Sequence, residues 1–233
     1  MLGMSLRAIL PKDHLGDNSM NVVKMGMGLV ATMAALVLSL VISSAKNSFD
    51  AVNTEMTGAA SQVIQLDRTL ALYGPETKGA RESLRGMVAG VVSRMESKTA
   101  IDLSRLQAST RDVEGVFDQI QGLAPKDDRQ RTIQAEAIVL SNSLQQTRWL
   151  MYEQQSASIS LPMLIVLITW LSTLFVSFGL FAPANATVVV SLLVSALSVS
   201  GAIFLILELY APFDGMIRVS SAPLHAALLQ LGN

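Results

Sequence analysis

The chain has 233 residues and no cysteine, which excludes disulfides, thiol catalysis, thiolate metal sites and iron–sulfur clusters. Hydrophobic residues make up 51% and charged residues only 15%, with a mean hydropathy of +0.45, on the membrane side of soluble averages. Its 17 Lys and Arg against 18 Asp and Glu leave a net charge of −1, with no basic excess to hold nucleic acid.

Residues 1–24 form an N-terminal extramembrane segment. It starts with Leu2, Met4, Leu6, Ile9 and Leu10 and turns polar from Pro11 to Asp17, the pattern of a helix end followed by a loop. Residues 25–45, charge-free between Lys24 and Lys46, predict a first transmembrane helix. About 20 apolar residues as helix cross a hydrocarbon core of about 30 Å, and helix is the open structure that satisfies its own backbone in lipid. The stretch is too long, and its polar leader too extended, for a cleaved signal peptide. Gly26-Met27-Gly28-Leu29-Val30-Ala31 matches a dinucleotide fingerprint formally, but no strand precedes it, so its glycines read as helix packing.

Residues 46–158 are the polar part: 13 of the 17 basic residues lie between Lys46 and Arg148, and 14 of the 18 acids between Asp50 and Glu153. Four extramembrane helices are predicted here. Val52, Met56, Ala59, Val63, Leu66, Leu70 and Tyr73 recur at spacings of four and three, a heptad stripe stopped by Gly74-Pro75. A second helix starts near Pro75-Glu76 and carries Leu84, Val88, Val91 and Met95. A third carries Ile101, Leu106, Val113, Phe117 and Ile120 and ends at Gly122 to Pro125. Asp127 and Asp128 suit the cap of a fourth, whose stripe is Ile133, Ala137, Leu140, Leu144, Thr147 and Met151. Intramolecular bundle packing is the favoured reading of both stripes, with a groove for a partner helix as the alternative. The first and fourth helices are expected to continue the membrane helices outward as a stalk.

From Gln154 to Leu207 there is no Asp, Glu, Lys or Arg, and the run breaks only at Ala182-Pro183-Ala184-Asn185-Ala186-Thr187. Residues 159–181 and 188–209 are therefore two further transmembrane helices in a hairpin. Three spans put residues 1–24 and the 182–187 turn on one face, and the helical segment and tail on the other. Positive charges near the span ends tie, so absolute orientation does not follow. Residues 210–233 form a C-terminal tail with a short amphipathic helix. Pro212 and Gly215 turn the chain, Ser221 reads as an N-cap, and Leu224, Leu228 and Leu229 form an apolar face ending at Gly232, expected to dock on protein.

Four side chains stand out as functional candidates. Glu208 is a carboxylate at the edge of the third span, where an acid is costly unless paired or facing water. Pairing with Arg218 or snorkelling competes with a role in a pore or proton path. Arg148 sits beside Trp149 and Tyr152, which with Tyr210 fit an interfacial aromatic belt. Anchoring or pairing with Glu153 competes there with binding an anion. Ser195 and Ser198 belong to a small-residue surface with Ser191, Ser200, Gly201 and Ala202, suited to close helix packing or to lining a hydrated path. His14 and His225 have no i, i+4 partner, so no metal site is expected. No nucleophile–base–acid set or P-loop is visible, so the chain is read as a non-enzyme with no cofactor.

Several stretches resemble the bestrophin-like family of bacterial membrane proteins, related to bestrophin anion channels. They are Val23-Lys24-Met25-Gly26-Met27-Gly28-Leu29, Leu66-Asp67-Arg68 through Tyr73-Gly74-Pro75-Glu76, Gln146-Thr147-Arg148-Trp149-Leu150, and Phe178-Gly179-Leu180-Phe181-Ala182-Pro183-Ala184-Asn185-Ala186-Thr187. Ala202-Ile203-Phe204-Leu205-Ile206-Leu207-Glu208, Pro212-Phe213 and Gly215-Met216-Ile217-Arg218-Val219-Ser220-Ser221-Ala222-Pro223-Leu224 complete the match. The resemblance implies an ion-conducting or ion-regulating membrane protein. It also implies a further apolar helix upstream, whose end Met1-Leu2-Gly3-Met4 resembles. No pore residue is carried over, because the hydrophobic neck of bestrophins does not align to particular positions.

The expected fold is therefore an all-α membrane protein of three transmembrane helices, one plus a C-terminal hairpin, with a helical bundle between them. The expected partners are the lipid bilayer, further copies of the chain and small anions, in the inner membrane of a bacterium. The alternative is a non-conducting scaffold or sensor that binds a partner through its helical stalk.

Overall fold

A computed structural model of the chain describes residues 17–96, 115–156, 161–181, 183, 185–213 and 215–232. All the regular structure among them is helical, with no strand. The helices are α1 (Asp17–Tyr73), α2 (Lys78–Glu96), α3 (115–121), α4 (Asp128–Ser156), α5 (Leu161–Phe181), α6 (Ala186–Leu209) and α7 (Ala222–Gln230). Three of them, α1, α5 and α6, are long and apolar enough to cross a membrane. The protein is thus an all-α membrane protein with further helices between its spans.

Helix α1 runs unbroken for 57 residues. It contains no proline, and three of its threonines are accommodated by back-bonding. The hydroxyls of Thr32, Thr54 and Thr57 each donate to the carbonyl four residues earlier, at 2.8–3.0 Å. Gly74, at φ 134°, ends it, and Pro75–Thr77 follow as a single 3-10 turn. The second helix accordingly starts at Lys78, later than the Pro75-Glu76 start expected from sequence.

The chain divides into two compact units, Met1–Asn47 with Ser158–Tyr210, and Ser48–Ala157 with Ala211–Asn233. In the first, Ala34 of α1 and Leu167 and Leu174 of α5 are buried together, packed by Val30, Val37, Leu38, Trp170 and Leu171. A small residue at the centre of the contact lets the two helices approach. Helix α6 is capped by Asn185, whose side chain accepts from the Val188 N–H at 2.9 Å. At its other end Ile206 and Leu209 are buried, and the Tyr210 hydroxyl lies 3.4 Å from Ser44 Oγ. Within the described residues neither Gly26 nor Gly28 is in close helix contact, since a Cβ on either would meet nothing within 4 Å.

In the second unit the heptad stripe of α1 is core. Val52, Met56, Val63, Leu66 and Leu70 bury against Leu84, Val88 and Val92 of α2, Val116 and Ile120 of α3, and Ala137 and Leu144 of α4. The tail joins the same core through Val219, Leu224, Ala227 and Leu231, with α7 lying on α2. Two details of the tail differ from expectation. Ser221 makes no capping hydrogen bond; the Ala222 N–H is instead 3.2 Å from Ser220 Oγ. Leu229 is exposed, and Ala227 and Leu231 take the buried places, because the helix is short and its last contact comes from the turn beyond it. Ile101, Leu106 and Val113 of the expected third helix lie outside the described residues, as does the segment before Asp17.

Candidate functional site

The four candidates from sequence do not converge on one site within either unit. Ser195 and Ser198 lie on α6 and are exposed, with the Ser198 hydroxyl donating to the Val194 carbonyl at 2.9 Å. Glu208 is half-buried in the last turn of the same helix, between the buried Ile206 and Leu209. Arg148 belongs to the other unit, half-buried on α4 next to the exposed Trp149. Beside it in sequence, Thr147 and Ser143 of α4 share a polar layer with α1: Gln62 Nε2 donates to Ser143 Oγ at 3.0 Å, and the Thr147 hydroxyl is 3.3 Å from Gln62 Oε1. Arg218 donates through Nε to the Gly215 carbonyl at 2.8 Å, closing the tail's turn.

The face of α6 is the more telling feature. Only 6% of its apolar window is buried, against 17% for α5. Val190, Leu193, Val194, Leu197 and Phe204 are exposed along with the serines. An apolar surface of that extent on one helix is covered in the working protein by lipid or by other protein.

Sequence reasoning missed the most deeply placed charge among the described residues of the second unit. Asp67, 3% exposed, sits on α1 one residue from Leu66 in the stripe, and accepts both Nε and Nη2 of Arg81 at 2.7 and 2.9 Å. This fork-on-carboxylate geometry is the strong form of ion pair. The hydrogen bonds from Arg81 to Asp67 raise the guanidinium above its ordinary value, against the opposing effect of desolvation. The Gly232 N–H approaches the same carboxylate at 3.4 Å, so three separate segments meet there. The signal in the sequence was an acid on the shoulder of an apolar stripe, with an arginine on the following helix.

Around this pair the α1–α2 connection is fixed by side chains bonding to the backbone. The buried Thr77 hydroxyl donates to the Leu70 carbonyl at 2.6 Å and lies 2.8 Å from that of Gly74. Gln130 Nε2 donates to the Tyr73 carbonyl at 3.1 Å, and Gln134 Nε2 donates to the carbonyls of Ile120 and Leu123 at 2.9 and 3.0 Å. These glutamines satisfy carbonyls that a helix end leaves open. Asp127 Oδ1 accepts from the Gln130 N–H at 2.7 Å and so caps α4. At the surface Lys126 Nζ lies 2.6 Å from Glu76 Oε1. Its hydrogen bond holds the Glu76 carboxyl below the usual range and raises Lys126 above its own. A cleft of about 490 Å³ opens beside the connection, lined by Gly74, Thr77, Lys78, Arg81, Glu82 and Arg85 among others. Among the described residues no group of three or more His, Asp or Glu could hold a metal ion.

The family model described as Bestrophin-like domain matches residues 2–224. Among solved structures, a bacterial bestrophin homologue from Klebsiella pneumoniae carrying a point substitution has a TM-score of 0.67 at 14% identity, over 89% of this chain and 85% of that one. A second structure of a bacterial bestrophin homologue from the same organism has a TM-score of 0.66, with the same identity and coverage. A structure described as a membrane protein has a TM-score of 0.64 at 13% identity, over 98% of this chain and 96% of that one. At such identities the likeness is one of fold. No curated protein matches the sequence.

Proposed function

This chain belongs to the bestrophin-like family, and from that premise we propose that several copies of it assemble around a path for small ions, anions being the class to test first. The observation that carries the proposal is the largely uncovered face of α6. Among the described residues three helices can cross a membrane, and α6 leaves Ser195, Ser198, Leu193 and Leu197 exposed. Three helices hardly enclose a water-filled channel, so a path has to form between copies. Serine hydroxyls on such a wall replace part of an ion's hydration without the cost of placing a charge in the membrane. Glu208 and Arg148 are the charged groups assigned to influence passage, from the edge of the third span and from α4. The inner membrane of a bacterium is the location this reading carries with it.

Flux measurement on the full chain in liposomes tests it. Chloride or another halide should cross faster than in protein-free vesicles, and Ser195→Leu with Ser198→Leu should reduce the rate. Protein that is oligomeric by size yet passes neither halide nor potassium above the empty-vesicle rate would overturn the proposal. The alternative of a stalk that binds a partner through its stripes has less support from the α1 stripe, which is buried in the chain's own core, than from the α4 stripe, where only Ala137 and Leu144 are buried.

A further inference from the structure

A second cavity, of about 450 Å³, lies within the membrane-crossing unit, and all three spans contribute to it. Lys24, Met27, Gly28 and Ala31 of α1, Ser177, Phe178 and Phe181 of α5, and Leu192 of α6 form its walls. Its size falls in the range of small-molecule sites. The walls are aliphatic and aromatic except at Lys24 and Ser177. Lys24 is exposed, and no Asp or Glu occurs between Asn18 and Phe49 or between Gln154 and Leu207. Among the described residues no carboxylate lies within ion-pair distance of it.

A cation at the end of an apolar span, over a crevice with no acid, is complementary to an amphiphile with an anionic head and a hydrocarbon tail. In a bilayer that amphiphile is abundant as phospholipid. Lysine stems lie along apolar surface while the ammonium reaches the headgroup level. Gly28 explains why the crevice exists: a Cβ there would meet no heavy atom within 4 Å, so the open space is where a side chain would otherwise stand.

We propose that this cavity binds one anionic phospholipid, an acyl chain lying against Gly28, Phe178, Phe181 and Leu192 and the phosphate paired with Lys24. The proposal does not rest on conduction, and lipid binding is tested separately from ion flux.

Native mass spectrometry of the full chain in detergent, titrated with dioleoyl phosphatidylglycerol and separately with dioleoyl phosphatidylcholine, tests it. The wild type should bind one phosphatidylglycerol per copy in preference to phosphatidylcholine. Lys24→Gln should lower that preference about fivefold, the weight of one basic residue at a phosphate surface. Gly28→Leu, which starts from a Cβ with open space and puts a bulky side chain into the cavity, should weaken both lipids together. Unchanged melting temperatures would confirm that both variants remain folded. Equal phosphatidylglycerol binding by wild type and both variants would overturn the proposal. So would cross-linking of residues 1–16 into the cavity of a lipid-free wild type, which would give the site to the chain's own N-terminal segment.

Discussion

Asp67 and Arg81 show how much depends on one buried carboxylate. Removing a single partner leaves the other charge buried and uncompensated, which costs about 3–5 kcal/mol, whereas replacing both by apolar groups is often neutral. Arg81 retains some solvent contact, at 22% side-chain exposure, which puts the expected loss at the lower end of that range. Asp67→Ala should therefore lower the melting temperature clearly, and Asp67→Leu with Arg81→Met should recover most of it, as read by circular dichroism in detergent. If the double variant melts as low as the single one, the pair is not the source of the loss. Tyr73 gives the opposite case. Its hydroxyl is buried with no hydrogen-bond partner, so Tyr73→Phe should leave stability unchanged or raise it by up to about 1 kcal/mol. The surface pair Glu76–Lys126 has a pH signature. Because Glu76 is depressed, its contribution is present above the ordinary carboxylate pKa and is lost as pH falls through the lowered value; salt screens it. Wild type and Glu76→Gln should thus converge in melting temperature on acidification below that value. Of these three roles the sequence carried a signal only for the first, and a weak one. An acid next to Leu66 looks like any solvated helix residue until the fold brings Arg81 across from it.

Helices as elements were far more legible than their ends. Spacings of four and three placed the stripe of α1 in the core, because a 3.6-residue period is a property of the backbone and needs no tertiary context. Charge-free length likewise identified the three membrane-crossing helices. Ends depend on single hydrogen bonds, and there the reading slipped: Pro75–Thr77 form a 3-10 turn, and Ser220 rather than Ser221 offers its hydroxyl to the start of α7. Gly74 is the end that composition could identify. It has φ 134° and ψ −174°, a region open almost only to glycine, and a Cβ would stand 2.7 Å from Glu76 Oε2. Glu76 can swing away, so the lasting cost of Gly74→Ala is backbone strain of about 1–3 kcal/mol. Thermal melting should show that loss undiminished in a Gly74→Ala, Glu76→Ala double variant. Recovery there would mean that the side-chain contact, not the backbone, required glycine.

At the scale of the whole molecule, the two units satisfy their apolar surfaces differently. The second buries the α1 stripe internally together with Val219, Leu224, Ala227 and Leu231 of the tail, whereas in the first α6 stays largely uncovered. Within water such a face would be a folding error; within a bilayer it is unfinished, and either lipid or another copy finishes it. Small residues discriminate between the two. Lipid packs equally well on leucine and serine, so a lipid-facing surface tolerates Ser195→Leu and Ser198→Leu with no change of mass. A surface on which helices of neighbouring copies approach closely does not, since each added side chain holds the backbones apart and removes interhelical hydrogen bonds of about 0.6 kcal/mol each. The double variant should therefore shift the detergent-solubilised protein toward smaller species by light scattering, while Leu197→Ala, which adds no bulk, should not. Unchanged mass in Ser195→Leu with Ser198→Leu would place this face toward lipid and move the assembly contact to another part of the chain.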